Sequence, residues 1–129
     1  MIKDIISAVA KGRRFFITAH VRLDGDALGA ELALYKMLTD LGKEAVVCNQ
    51  DPTPYHYQFL PGASSIVHEV KDISAYDVGF VLDCSELDRV GELAKVVAAI
   101  PTLINIDHHV STGGFCHLHL LDPKASSPG

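Results

Sequence analysis

Cysteine is scarce in this chain. Cys48, Cys84 and Cys116 are the only three, widely spaced and with no CxxC pair. An odd, scattered set is no disulfide framework, and reduced thiols in a cytoplasmic protein are the expected state. Long apolar runs are also missing. "AYDVGFVL" and "KVVAAIPTLINI" both break off well before the roughly 20 residues of a membrane span, so no membrane partner is expected. The opening "MIKDIISAVAKGRR" carries Asp4 and has no small-residue cleavage site after a long apolar core, so a signal peptide is not expected. Basic residues are outnumbered, 11 Lys and Arg against 16 Asp and Glu, for a net charge of −5. That balance argues against non-specific duplex binding, which needs basic surface to displace counterions. A short anionic ligand remains open. There is no internal repeat, low-complexity tract or clear linker, and 129 residues are read as one domain with a core of its own.

What is present is an alternation of strand-like and helix-like segments. Ile2, Ile5, Ile6 and Val9 recur at helical spacing and predict a short amphipathic helix. "RFFITAHV" reads as a buried strand. From Asp26 to Leu41 the stripe Leu28, Leu32, Tyr35 and Leu38 predicts a helix, with Gly42 as its C-terminal cap. "EAVVCN" is a second strand, and the proline-rich "QDPTPYHYQFLPGAS" a loop with room for one helical turn. "YDVGFVLDCS" is apolar almost throughout, as a strand covered on both faces should be. "VGELAKVVAAI" predicts a helix ending before Pro101, "TLINIDHH" a fourth strand and "FCHLHLLD" a fifth. The alternation implies an α/β fold: a doubly wound, mostly parallel five-stranded sheet with helices on both faces. The polar "DPKASSPG" leaves the last strand without a covering helix, and a piece of a longer protein is expected.

Open α/β sheets bind ligands beyond the carboxyl ends of their strands, where strand order reverses. The first strand leads to His20, Asp24 and Asp26 in "HVRLDGDALG", the third to Asp83, and the fourth to Asp107, His108 and His109. In a 2-1-3-4-5 order, strands one and three flank the reversal. Two carboxylates about 4 Å apart repel by roughly 4 kcal/mol at an effective dielectric of about 20, so they must protonate, spread or hold cations. A mixture of carboxylate oxygens and imidazole nitrogens suits manganese, iron, cobalt or zinc better than calcium. Two such ions roughly 3.5–4 Å apart are a standard device for hydrolysing phosphate esters. Taken singly, Asp26 also reads as a helix N-cap, Asp83 as a loop residue and His20 as a hydrogen-bonded core histidine. Adjacent histidines after Asp107 have little structural motive. The combination reads as a site.

These residues resemble the DHH phosphoesterase superfamily. "HVRLDGDALG" is similar to its first motif, "VLDCS" to its second, and "DHH" at 107–109 to the triplet that names it. "FLPG", "LDRVG" and "LLDPKASS" resemble the oligoribonuclease/3′-phosphoadenosine-5′-phosphate phosphatase (nanoRNase) group within it. The resemblance covers essentially the whole chain. It implies a Rossmann-like catalytic domain and a two-metal manganese hydrolase, with magnesium, cobalt or zinc as other possible ions. His20 and Asp24 would hold one ion and Asp26 the other, Asp83 would bridge both, and His108 would complete a shell. Asp107 would orient an imidazole from behind, and His109 would reach the substrate phosphate. Asp83, Asp107 and His109 are therefore the expected catalytic residues. The implied substrates are short single-stranded RNA or nucleotide bisphosphates, and a homodimer is compatible with the family.

Leu23 stands where proline is frequent in the first motif. His117 and His119 alternate with Leu118 and Leu120 and are read as a solvent-facing strand edge. The family's fourth aspartate motif and C-terminal substrate-binding domain fall beyond residue 129, so an inactive or merely metal- or nucleotide-binding piece is the alternative. Within the enzyme class, cyclic or linear dinucleotide hydrolysis and RecJ-like single-strand exonuclease activity are rivals. A dinucleotide-binding Rossmann domain is disfavoured, because "HVRLDGD" replaces GxGxxG and its carboxylates would repel a pyrophosphate.

Overall fold

In a computed structural model of the chain, residues 2–20, 25–70, 72–82, 91, 93–107 and 118–121 are described. Helix α1 spans Ile2–Lys11, strand β1 Arg14–Ala19, helix α2 Gly25–Asp40 and strand β2 Glu44–Val47. Strand β3 spans Val78–Leu82, helix α3 Ala94–Ala98, strand β4 Thr102–Asp107 and strand β5 Leu118–Leu121. All four strand pairings are parallel, in the order β2-β1-β3-β4-β5. Strand order thus reverses between β1 and β3, the order on which the expected convergence of strand ends depends.

The period-2 alternation of the strands divides the core in two. Phe15, Ile17, Val47, Val78, Phe80, Leu82 and Ile104 face one side, against Ala27, Leu28, Ala30 and Leu38 of α2 and the half-buried Ile5, Ala8 and Val9 of α1. Phe16, Cys48, Val81 and Leu103 face the other, against Leu93, Val97 and Ile100 around α3. Helices therefore cover both faces. Packing selects Ala8 over Ile6 for the buried side of α1, and Ile6 is left 62% exposed.

Local chemistry sets where the helices stop. Gly42 takes φ +80° after α2, where a side chain would be strained, and the Gly42 and Lys43 amides donate to the Thr39 and Leu38 carbonyls, both at 3.0 Å. The Lys43 ammonium reaches back across the fold to the Ala10 and Gly12 carbonyls, each 2.9 Å away, and so finishes α1. α3 is shorter than the helix expected over 90–100. Gly91, at φ +75°, cannot belong to a right-handed helix, and regular helix starts only at Ala94. The proline-rich loop holds two 3-10 turns, Tyr55–Tyr57 and Ala63–Ser65, where one was expected.

Candidate active site at the carboxyl edge of the sheet

The register brings the strand ends level. Ala19 pairs with Leu82, and Leu82 with Ile106. The next residues in the chain are His20, Asp83 and Asp107, so three neighbouring strands direct chemistry-bearing residues to one edge. His20, the residue directly after the last paired residue of β1, is 8% exposed. Asp26 lies half-buried in the first turn of α2, where the helix dipole favours a carboxylate. Asp107 is the last residue of β4, paired with Leu121. Asp24, Asp83, His108 and His109 lie outside the described residues, as does His117, and His119 is described only as part of β5. Among the described residues no group of three or more His, Cys, Asp or Glu side chains is placed to hold a metal ion.

Behind this edge sits a polar pair that the sequence pattern did not single out. Glu31 of α2 and Asn49, just past β2, are buried to 0% and 1% exposure. Asn49 Nδ2 donates to Glu31 Oε2 at 2.8 Å, whereas Glu31 Oε1 and Asn49 Oδ1 have no hydrogen-bond partner among the described residues. Burial pushes the Glu31 carboxyl up to about 8, against the opposing pull of the Asn49 hydrogen bond and of His20. Glu31 is thus electrostatically coupled to the candidate ligand on β1. Its signal was present: position 31 is i+4 from Ala27 and i+3 from Leu28, on the stripe that α2 buries. Cys48, next to Asn49, has its thiol pushed up to about 11 by burial and by the Glu31 and Glu69 charges, and is no nucleophile at neutral pH.

A groove of about 460 Å³ runs along α2 between Leu32, Tyr35, Lys36 and the Leu60–Gly62 turn, and takes in none of the expected site residues. No described helix is long and apolar enough to cross a membrane.

Comparison with known proteins decides the family. The DHH family, N-terminal domain, matches residues 14–128. The chain belongs to the DHH family. The bifunctional oligoribonuclease and PAP phosphatase NrnA of Thermus thermophilus is 34% identical to this DHH chain over 130 residues, which is 98% of the chain and 37% of the relative. The crystal structure of an exopolyphosphatase-related protein from Bacteroides fragilis superposes with a TM-score of 0.92 at 30% identity, over 98% of this chain and 40% of that one. The DHH chain therefore spans about two-fifths of the length of these two relatives.

Proposed function

We propose that this DHH chain carries the metal-binding half of a phosphoesterase acting on short oligoribonucleotides and nucleotide 3′,5′-bisphosphates. The observation that carries the reading is the register of β1, β3 and β4 across the strand-order reversal, in which Ala19, Leu82 and Ile106 lie level and are followed in the chain by His20, Asp83 and Asp107. The Thermus relative, named for both activities, supports the substrate class.

The donor set fits manganese or a similar divalent ion. His20 offers a nearly buried imidazole and Asp26 a half-buried carboxylate at a helix start. His20, Asp24, Asp26, Asp83 and His108 would hold the ions, with Asp83 shared. When bound, such ions acidify water and offset negative charge on a phosphoryl group. The chain's residues supply the rest. A shared Asp83 carboxylate would offset the repulsion between neighbouring cations. Asp107 would orient an imidazole by accepting its ring N–H, and His109 would donate to a phosphate oxygen.

Asp83→Ala tests the reading directly. Calorimetric titration with manganese should show uptake by the wild-type chain and at least a tenfold loss in the variant. Turnover of a trinucleotide or a nucleotide bisphosphate should vanish in parallel. Unchanged manganese affinity in Asp83→Ala removes the bridging role. Manganese uptake without turnover would favour a metal-binding module in place of an enzyme.

A further inference from the structure

The loop after β2 places four aromatic side chains within five residues, "YHYQF" at 55–59. Tyr57 is half-buried and packs against the apolar core. Its ring lies against Gly25, the residue between Asp24 and Asp26: a methyl group on Gly25 would meet Tyr57 Cε1 at 3.2 Å and its hydroxyl at 3.3 Å. Glycine at that position lets the ring close over the start of α2. His56 tilts onto the Tyr57 ring, with centroids 4.1 Å apart and planes at 46°. Tyr55 and Phe59 leave 88% and 78% of their surface in water, the two largest exposures among the large hydrophobic side chains described.

Single exposed apolar residues are ordinary. Two nearly bare aromatic rings flanking a pair anchored on the first motif are not scattered singly. Aromatic faces bind nucleobases by stacking, whatever the base, and amphipathic rings do so while remaining hydrated. The carboxyl edge would handle phosphate, and its acids are suited to cations and phosphate, not to the face of a base. The loop supplies a flat apolar surface at that edge.

We propose that Tyr55, His56 and Phe59 form a nucleobase-stacking platform beside the phosphoester site, held in place by Tyr57 against Gly25. This deepens the proposed hydrolytic reading and rests on it. The platform gives affinity for nucleotides over base-free phosphoesters, and it leaves the reacting atoms untouched. It is tolerant of base identity, since every base has a π-face.

The test uses Tyr55→Ala/Phe59→Ala, whose exposed positions leave the core intact, and His56→Ala separately. With manganese present, a diadenosine dinucleotide and a matched abasic dinucleotide are compared on the full chain. The double variant should raise KM for the adenine compound about 5- to 100-fold, at the scale of base–aromatic stacking, with kcat within about twofold. KM for the abasic compound should stay unchanged. An equal loss on both compounds, or no loss on either, overturns the platform. Should the wild-type chain hydrolyse neither, the hydrolytic reading fails, and the platform is judged by titrating adenosine monophosphate against tyrosine fluorescence. Saturable quenching that the double variant loses supports stacking. Identical curves overturn it.

Discussion

At the scale of single residues, Glu31 has the largest consequence for stability. It carries a carboxyl group in a place that excludes water, and the native state keeps it protonated up to about pH 8. The unfolded chain releases that proton near the ordinary value of 4.5. Between these two values the native state binds more protons than the unfolded state, so this group lowers stability steadily as pH rises from 4.5 to about 8, by an amount on the order of a few kcal/mol. Below 4.5 the contribution is flat. Urea unfolding at several pH values should show that slope, and Glu31→Gln, which keeps the acceptor for Asn49 Nδ2 and has no proton to lose, should flatten it. A slope unchanged in the variant would mean that other groups dominate. Asp77 behaves in the opposite way. Partial burial works against its charge, yet the Arg14 and Arg13 amides, at 2.9 and 3.0 Å, hold its carboxyl below the usual range and tie the start of β1 to the approach to β3.

At the scale of elements, the packing of β3 against β4 and the segment that joins α3 to it depends on a missing side chain. Gly79 in the middle of β3 has no room for a methyl group: its Cβ would lie 2.9 Å from both Ile100 Cδ1 and Leu103 Cδ2. Both neighbours are themselves buried, so Gly79→Ala should overpack this face and cost about 1–3 kcal/mol in thermal or chemical denaturation. A variant as stable as wild type would show that the α3 side repacks freely. The elements were also where sequence patterns were most legible. Continuous apolar runs marked β1, β3 and β4 because strands covered on both faces need apolar residues at every position. Gly42 marked the end of α2 through its backbone freedom. Two features escaped. The extent of α3 depends on Gly91 adopting a left-handed backbone, which a helical pattern over 90–100 does not reveal. The inward turn of Glu31 escaped because apolar periodicity counts hydrophobic residues and passes over a polar residue on the same stripe.

At the scale of the whole molecule, the expected site was legible as a set of strand ends. Its chemistry belongs to side chains from positions far apart in the chain, and sequence order alone could say that they reach one edge only if the strand order is 2-1-3-4-5. That order is found. His20 is nearly buried and Asp26 half-buried, while Asp24, Asp83, His108 and His109 lie outside the described residues and are legible by motif alone. If divalent ions join β1, β3 and β4 there, folding and ion binding must be linked. Manganese at about 100 times its Kd should add roughly 2.7 kcal/mol, a rise in Tm of about 10 °C, reversed by a chelator. An unaltered melting curve would dissociate the fold from the ions.

One modest pairing has a bearing on behaviour at high concentration. β2 is the outermost strand on its side, and Val67 occupies its outer rim, its amide donating to the Val47 carbonyl at 2.9 Å while its carbonyl accepts from Asn49 at 3.0 Å. At the other end of β2, Glu44 is exposed and its carboxylate pairs with the Arg14 guanidinium of β1 at 2.6 Å. A second molecule seeking to add itself as a sixth ribbon finds a filled berth at one end and ions at the other, which guards this flank against runaway polymerisation.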